Sequence, residues 1–305
     1  MVASKVAVLV GPTAVGKTTV ALDLAEALGA EIINADSMQV YRELDIGTAK
    51  PTSQERDRVR HHLVDVADPD EHYDAACYAR EARQAIADLH QRGVPPLVVG
   101  GTGLYIKALL AGLFHQDEAV PEVRARLARE LAQQGLPALL ARLTSLDPAT
   151  AERLAPGDTY RILRALEVAE ATGRPISELH ADHNFSDRPY TTLKLGLDLP
   201  REELYQRIDE RVQAMLNQGW IEEVRRLLKR YPAGIKPLQA LGYRHLVAYL
   251  EVLLPLPEAI EQTQKETRRY AKRQLTWFRA DPEVRWFHPD QGEDMLALLQ
   301  DFFRE

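Results

Sequence analysis

Apolar positions along the chain follow a strand-and-helix alternation at first and a purely helical period later. Residues 6–10 (Val-Ala-Val-Leu-Val) are an unbroken apolar run, which predicts a strand buried on both faces. Residues 19–28 place Ala21, Leu22, Leu24, Ala25 and Leu28 at helical spacing. Residues 31–37 read as a second strand with a polar end, residues 62–66 as a third and residues 95–99 as a fourth. Between them, residues 41–51 are loop-like, residues 73–92 form a helix stopped by Gly93, and residues 104–110 a further helix. Such alternation predicts an α/β fold with a parallel sheet. From residue 114 to residue 187 the strand signal disappears. Helices are predicted over 122–134, 138–146, 148–154 and 158–172, punctuated by Pro121, Pro137, Pro156, Gly173 and Pro175. Strand alternation returns at 191–198, Pro200 opens another helix, and residues 264–279 form a late one. The organisation expected is a core of residues 1–113 and 188–305 interrupted by a helical insertion, 114–187.

Chemistry enters at the first strand-to-helix junction. Gly11-Pro12-Thr13-Ala14-Val15-Gly16-Lys17-Thr18 has the G-x-x-x-x-G-K-T phosphate-loop pattern, with a predicted strand before it and a helix after it. Such a loop wraps a phosphate in backbone N–H donors at a positive helix end. Lys17 adds a point charge, and the Thr18 hydroxyl can ligate Mg²⁺. Asp36 falls at the carboxyl end of the second strand, where parallel sheets place functional groups. Capping of a turn is an equally good use for it, and position alone leaves both open. The fourth strand ends Val99-Gly100-Gly101-Thr102, with no carboxylate where a conventional NTPase keeps one for its metal. Asp65 lies inside its strand pattern rather than beyond it. This disfavours ATP hydrolysis and favours a cradle for a leaving group.

Composition narrows the class. The chain has 305 residues, 45% hydrophobic and 27% charged, as a globular protein does. Cys77 is the only cysteine, which excludes an internal disulfide and predicts a reducing compartment. There is no room for a signal peptide before the first strand and no apolar run of membrane length, so a cytoplasmic, membrane-free chain is expected. His61 and His62 lack zinc-spaced partners and read as satisfied histidines.

The net charge of −7 argues against a polyanionic partner until its distribution is considered. Residues 264–279 carry six positive charges and one negative. Lys265, Arg268, Arg269, Lys272 and Arg273 form one helical stripe suited to a polyanion, with Tyr270, Trp277 and Phe278 read as core. Arg207 and Arg211 share a helix face near a strand end and could clamp phosphate, although Asp209 and Glu210 offer surface pairing instead. The insertion carries Arg124, Arg126, Arg129, Arg142, Arg153, Arg161, Arg164 and Arg174, which for the most part read as a solvated face.

These residues together resemble the bacterial tRNA dimethylallyltransferases over nearly the whole chain. The resemblance rests on the 11–18 loop and on N-A-D-S-M-Q-V-Y at 34–41, D-I-G-T-A-K-P at 45–51 and G-G-T-G-L-Y at 100–105. It continues in R-I-L-R-A-L-E-V at 161–168, Q-A-L-G-Y-R at 239–244 and K-R-Q-L-T-W-F-R at 272–279. It implies a P-loop NTPase-like fold and a monomer that moves a dimethylallyl group from dimethylallyl diphosphate to N6 of the tRNA adenosine just 3′ of the anticodon, with Mg²⁺ assisting. By the same resemblance Asp36 is the general base, Thr102 contacts the target nucleotide, and Arg211 joins the loop in holding diphosphate, with Mg²⁺ near Thr18. Residues implied to meet tRNA are Asp36, Ser37, Met38, Gln39, Thr102 and Arg124, then Tyr160, Arg161, Ile162, Leu163 and Arg164. They continue with Gln239, Ala240, Leu241, Gly242, Tyr243 and Arg244, and with Lys272, Arg273, Gln274, Leu275, Thr276, Trp277, Phe278 and Arg279. The zinc-finger extension of eukaryotic relatives cannot be built from one cysteine. Rival readings are a free-nucleotide isopentenyltransferase, a small-molecule kinase, and an RNA-binding module with a vestigial loop.

Overall fold

A computed structural model of the chain describes residues 4–112, 121–183 and 188–304. The chain divides into two compact units, Met1–Leu110 with Arg188–Glu305, and Ala111–Asp187.

The larger unit begins with β1 (Ser4–Val10), α1 (Lys17–Leu28), β2 (Glu31–Asn34), α2 (Ser53–Arg58), β3 (His61–His62), α3 (Ala75–Gln91), β4 (Pro96–Gly100) and α4 (Gly103–Ala111). The smaller unit consists of α5 (Pro121–Leu146), α6 (Pro148–Arg153), α7 (Thr159–Thr172) and α8 (Ile176–His183). The chain then returns to the larger unit with β5 (Tyr190–Leu197), α9 (Arg201–Asn217), α10 (Trp220–Arg230), α11 (Tyr243–Leu250), α12 (Leu256–Arg279), β6 (Val284–Phe287) and α13 (Gly292–Arg304).

All six strands are parallel, in the order β3-β2-β4-β1-β5-β6. β1 is central, and Val6 to Val10 are at most 2% exposed, so the continuous apolar run is explained by burial on both faces. Ala7 and Leu9 pack with Ile32, Leu97 and Leu195 and with Ala21, Leu22 and Leu24 of α1. The ends of β1, β4 and β5 lie in register at Val10, Gly100 and Gly196. This brings the loops that follow them to one edge of the sheet.

Expectations at β3 and α3 need correction. The third strand stops after His62 instead of running to residue 66. Leu63 and Asp65 take left-handed backbone angles (φ 60° and 57°), which turns the chain out of the sheet. Asp65 is then held by Lys50 (2.6 Å) and Arg56 (2.7 Å). The helix expected from residue 73 begins at Ala75, because Asp74 Oδ1 accepts from the N–H groups of Ala76 and Cys77 (2.9 Å each).

In the smaller unit, Gly135 (φ 78°) and then Pro137 break α5 into its two expected segments. Leu127, Leu139, Leu143, Ile162 and Leu166 form its core.

Candidate active site

The sheet edge opens on a cavity of about 560 Å³ within the larger unit, lined by the phosphate loop, residues 36–39 and 47–49, and facing sides of α9, α10 and α12. At its head the chain leaves β1 through Gly11, whose φ is 150° and where an added Cβ would lie 2.8 Å from Leu197 O, so no side chain fits. Gly16 (φ 100°) leads into α1, and no side chain caps that helix, which leaves its first N–H groups directed at the cavity. Lys17 Nζ donates to the loop carbonyls of Gly11 (2.9 Å) and Pro12 (2.6 Å). Burial, and secondarily the nearby Arg211 charge, push the Lys17 amine down to about 7, with Asp36 acting in the opposite direction. Arg211 is itself disfavoured by burial and supported by Asp36. Two cations and one carboxylate thus converge in low-dielectric surroundings, where an incoming polyanion is strongly favoured.

Asp36 caps the turn that follows β2 and lines the cavity as well. Its Oδ1 accepts from the N–H groups of Met38 (2.8 Å) and Gln39 (3.3 Å). Thr102 Oγ1 accepts from the Ser37 N–H (3.0 Å), which ties the ends of β2 and β4 together beside Asp36. Gln39 lines the cavity, but its amide is used internally, donating to the carbonyls of Thr48 and Ala49 (3.1 Å each). Thr18 is exposed at the start of α1. Among the described residues no group of three or more His, Cys, Asp or Glu side chains is gathered to hold a metal. His62 bonds Glu31 (2.6 Å) and His61 the Val59 carbonyl (2.8 Å), so both histidines are satisfied structurally.

A family model described as IPP transferase matches residues 39–281, and one described as isopentenyl transferase matches residues 4–72. A tRNA dimethylallyltransferase of Syntrophobacter fumaroxidans is 54% identical over 295 residues, covering 96% of this chain and 86% of that one. The chain belongs to the tRNA dimethylallyltransferase family. The full-length tRNA isopentenylpyrophosphate transferase of Bacillus halodurans has a similar crystal structure, with TM-score 0.74, 37% identity, and 99% and 97% of the two chains covered. A eukaryotic dimethylallyltransferase acting on tRNA superposes with TM-score 0.76 at 32% identity, covering 90% of this chain and 70% of that one.

For a tRNA dimethylallyltransferase, the remaining sequence-derived residues divide sharply by burial. On α12, Lys265, Arg269, Lys272, Arg273, Thr276 and Arg279 are exposed. Arg268 is withdrawn from the stripe by Asp209 (2.6 and 2.7 Å), and Arg279 is paired with Asp198 (2.5 Å). Trp277, expected in the core, is 47% exposed, with its indole against Gly103. Phe278 is buried. Gln274, grouped with the tRNA-facing residues, is 6% exposed, and its amide is used inside the protein. It accepts from the Thr13 N–H (2.8 Å) and donates to Gly101 O (2.9 Å).

Within residues 239–244, Ala240 and Leu241 line the cavity beside buried Tyr243, while Gln239 and Arg244 are exposed and Arg244 pairs with Glu266. In the insertion, Tyr160 is 76% exposed and Ile162 is core. Leu163 packs partly buried against that core. Its arginines are not simply solvated. Arg124 and Arg164 both reach the buried Glu167, Arg126 and Arg142 reach Glu170, and Arg161 reaches Asp158.

Two residues with no part in the sequence reading organise the cavity. Glu223, 1% exposed on α10, accepts from the N–H groups of Asp45 (3.0 Å), Ile46 (2.7 Å) and Gly47 (3.2 Å) and from Tyr243 Oη (2.7 Å). It is the anchor of the 45–51 motif. Trp220, one turn earlier on the same helix, lines the cavity. The available signal was a charge on an apolar stripe, since Trp220, Glu223, Val224 and Leu227 share the buried face of α10.

Proposed function

We propose that this chain, a prenyltransferase by family, transfers the dimethylallyl group of dimethylallyl diphosphate to N6 of the adenosine just 3′ of the tRNA anticodon. The observation that carries this reading is one cavity with a phosphate cradle at its head, a carboxylate at its side and apolar walls beyond. A kinase needs the first of these but has no use for the last.

In this reading the loop N–H groups, Lys17 and Arg211 hold the diphosphate and stabilise the charge that grows on it as the C1–O bond breaks. N6 of the target base, taken out of its stack, attacks C1 with its lone pair. Its proton becomes acidic as the C–N bond forms and passes to Asp36, whose Oδ1 is oriented by the Met38 and Gln39 N–H groups. Thr102, fixed against Ser37, helps position the base.

The donor set suits Mg²⁺ held mainly by the substrate. With the Thr18 hydroxyl and no carboxylate cluster, the ion would rest on diphosphate oxygens, water and Thr18. It would neutralise charge on the leaving group.

The exposed cations of α12 and the half-exposed Trp277 fit a nucleic-acid backbone with an aromatic face beside it. No helix among the described residues is long and apolar enough to cross a membrane. The expected setting is the cytoplasm, where tRNA is.

The test is nucleoside analysis of tRNA after incubation with dimethylallyl diphosphate and Mg²⁺. N6-dimethylallyladenosine beside the anticodon is the expected product. Prenylation of AMP with none of tRNA would replace the reading with a free-nucleotide transferase.

A further inference from the structure

The apolar lining of the cavity includes one large side chain packed tightly on several sides. Trp220 is 2% exposed and lines the cavity with Val212, Met215 and Leu241. Its indole is gripped at both edges by residues without side chains. A Cβ on Gly47 would lie 2.0 Å from the indole Nε1, and one on Gly242 would lie 2.3 Å from Cη2. The Tyr243 ring stands against it edge-on, with centroids 5.6 Å apart and planes at 79°. Glu223 binds the Gly47 N–H and Tyr243 Oη together, so the two sides of the grip are tied to one buried carboxylate. Met215 beside it is a deformable wall, whereas Trp220 is a rigid one.

We propose that Trp220 is the specificity-determining residue that limits the prenyl donor to five carbons. The inference rests on the reading that this cavity holds a prenyl diphosphate. The diphosphate end is fixed by Lys17, Arg211 and the loop, and C1 must lie within reach of a base held near Asp36. The rest of the prenyl chain has only the remaining cavity. Trp220, Val212, Met215 and Leu241 line that remaining space. A rigid ring rejects added length by overlap, where a methionine would yield.

Replacing Trp220 by a smaller side chain therefore opens space for a ten-carbon donor. The chemistry is unchanged. The C1–O bond breaks with its electron pair leaving on diphosphate, the N6 lone pair forms the new C1–N bond, and the N6 proton goes to Asp36.

The test measures kcat/KM for dimethylallyl and geranyl diphosphate on one tRNA, with the wild-type chain, Trp220→Leu and Trp220→Phe. The wild type is expected to prefer dimethylallyl by about a hundredfold or more. Trp220→Leu should narrow that ratio by about tenfold or more and yield geranylated nucleoside by mass spectrometry, with Trp220→Phe between the two. A folded variant that keeps dimethylallyl transfer and the wild-type ratio overturns the proposal, as does a wild type that uses both donors equally. A wild type that transfers neither group overturns the reading of the cavity instead. Should Trp220→Leu lose its far-ultraviolet circular dichroism, Trp220→Phe decides. Should both unfold, competition of alkyl diphosphates of graded length against dimethylallyl transfer by the wild type decides. A sharp cut-off beyond five carbons supports the gate, and a flat series overturns it.

Discussion

The backbone N–H of Thr13 donates to Oε1 of Gln274 at 2.8 Å, joining two residues 261 positions apart. The same amide donates to Gly101 O at 2.9 Å, so a single side chain fastens the phosphate loop to the end of β4. Gln274→Ala leaves two buried backbone groups unsatisfied and should cost about 2–4 kcal/mol of stability. Its KM for the donor should rise more than its KM for tRNA. Thermal melts and steady-state kinetics measure both. Equal effects on the two KM values would return Gln274 to the tRNA-facing group.

Asp36→Asn keeps an oxygen to accept the Met38 and Gln39 N–H groups and loses the base. Turnover should fall by about 10²–10⁴-fold, with tRNA affinity within a factor of about two. Single-turnover rates and a filter-binding titration check this, and wild-type turnover would remove Asp36 from its role.

Lys17 gives a pH dependence of defined sign. Its folded-state pKa of about 7 lies below the 10.5 of an exposed amine, so between these values the unfolded chain binds the extra proton. Through this group, the stability of the free protein therefore rises with pH over that window, and the penalty is fully present below it. Bound diphosphate favours the ammonium, so its binding takes up a proton above about pH 7. Diphosphate affinity should then weaken by up to about tenfold per pH unit above that point. The charged groups that face it are Arg211 and Asp36. Calorimetric titration at several pH values tests this, and Lys17→Met should bind weakly with a flat profile.

Glu223→Ala strands three backbone N–H groups and the Tyr243 hydroxyl. A loss of about 3 kcal/mol or more is expected, or about 5 °C or more in Tm. Glu223→Gln, which can still accept, should lose less than half of that.

Neutralising Lys272 and Arg273 together should weaken tRNA binding and flatten the dependence of log affinity on log salt by about 1–2 units. Both are exposed, so stability should stay within about 0.5 kcal/mol. An unchanged slope would make the stripe an ordinary solvated face.

The parts of this molecule that were legible in sequence are those whose pattern is local. The run 6–10 and the glycines of the 11–18 loop announce the central strand and the cradle, because burial on both faces and phosphate wrapping each demand a short, fixed set of residue types. Asp36 could be placed at a strand end, but its capping of the following turn shows only in its hydrogen bonds. The roles of Gln274 and Glu223 were hidden because each serves residues far away in the chain. Gln274 sat within a basic stretch and was grouped with its neighbours, although it faces the opposite side of the helix. The short β3 was over-read because no periodicity reports the left-handed angles at Leu63 and Asp65.

The position of β1 has a consequence for how the molecule is made. It leaves the ribosome before β2 to β6, yet it lies between β4 and β5. After β4 has paired with it, its other edge stays bare while the whole helical insertion is synthesised, until residues 190–197 arrive. That exposed edge, apolar from Val6 to Val10, is the vulnerable feature of the nascent chain. Completion of the 11–18 loop, whose glycine turn packs against Leu197, has to wait for the same late strand.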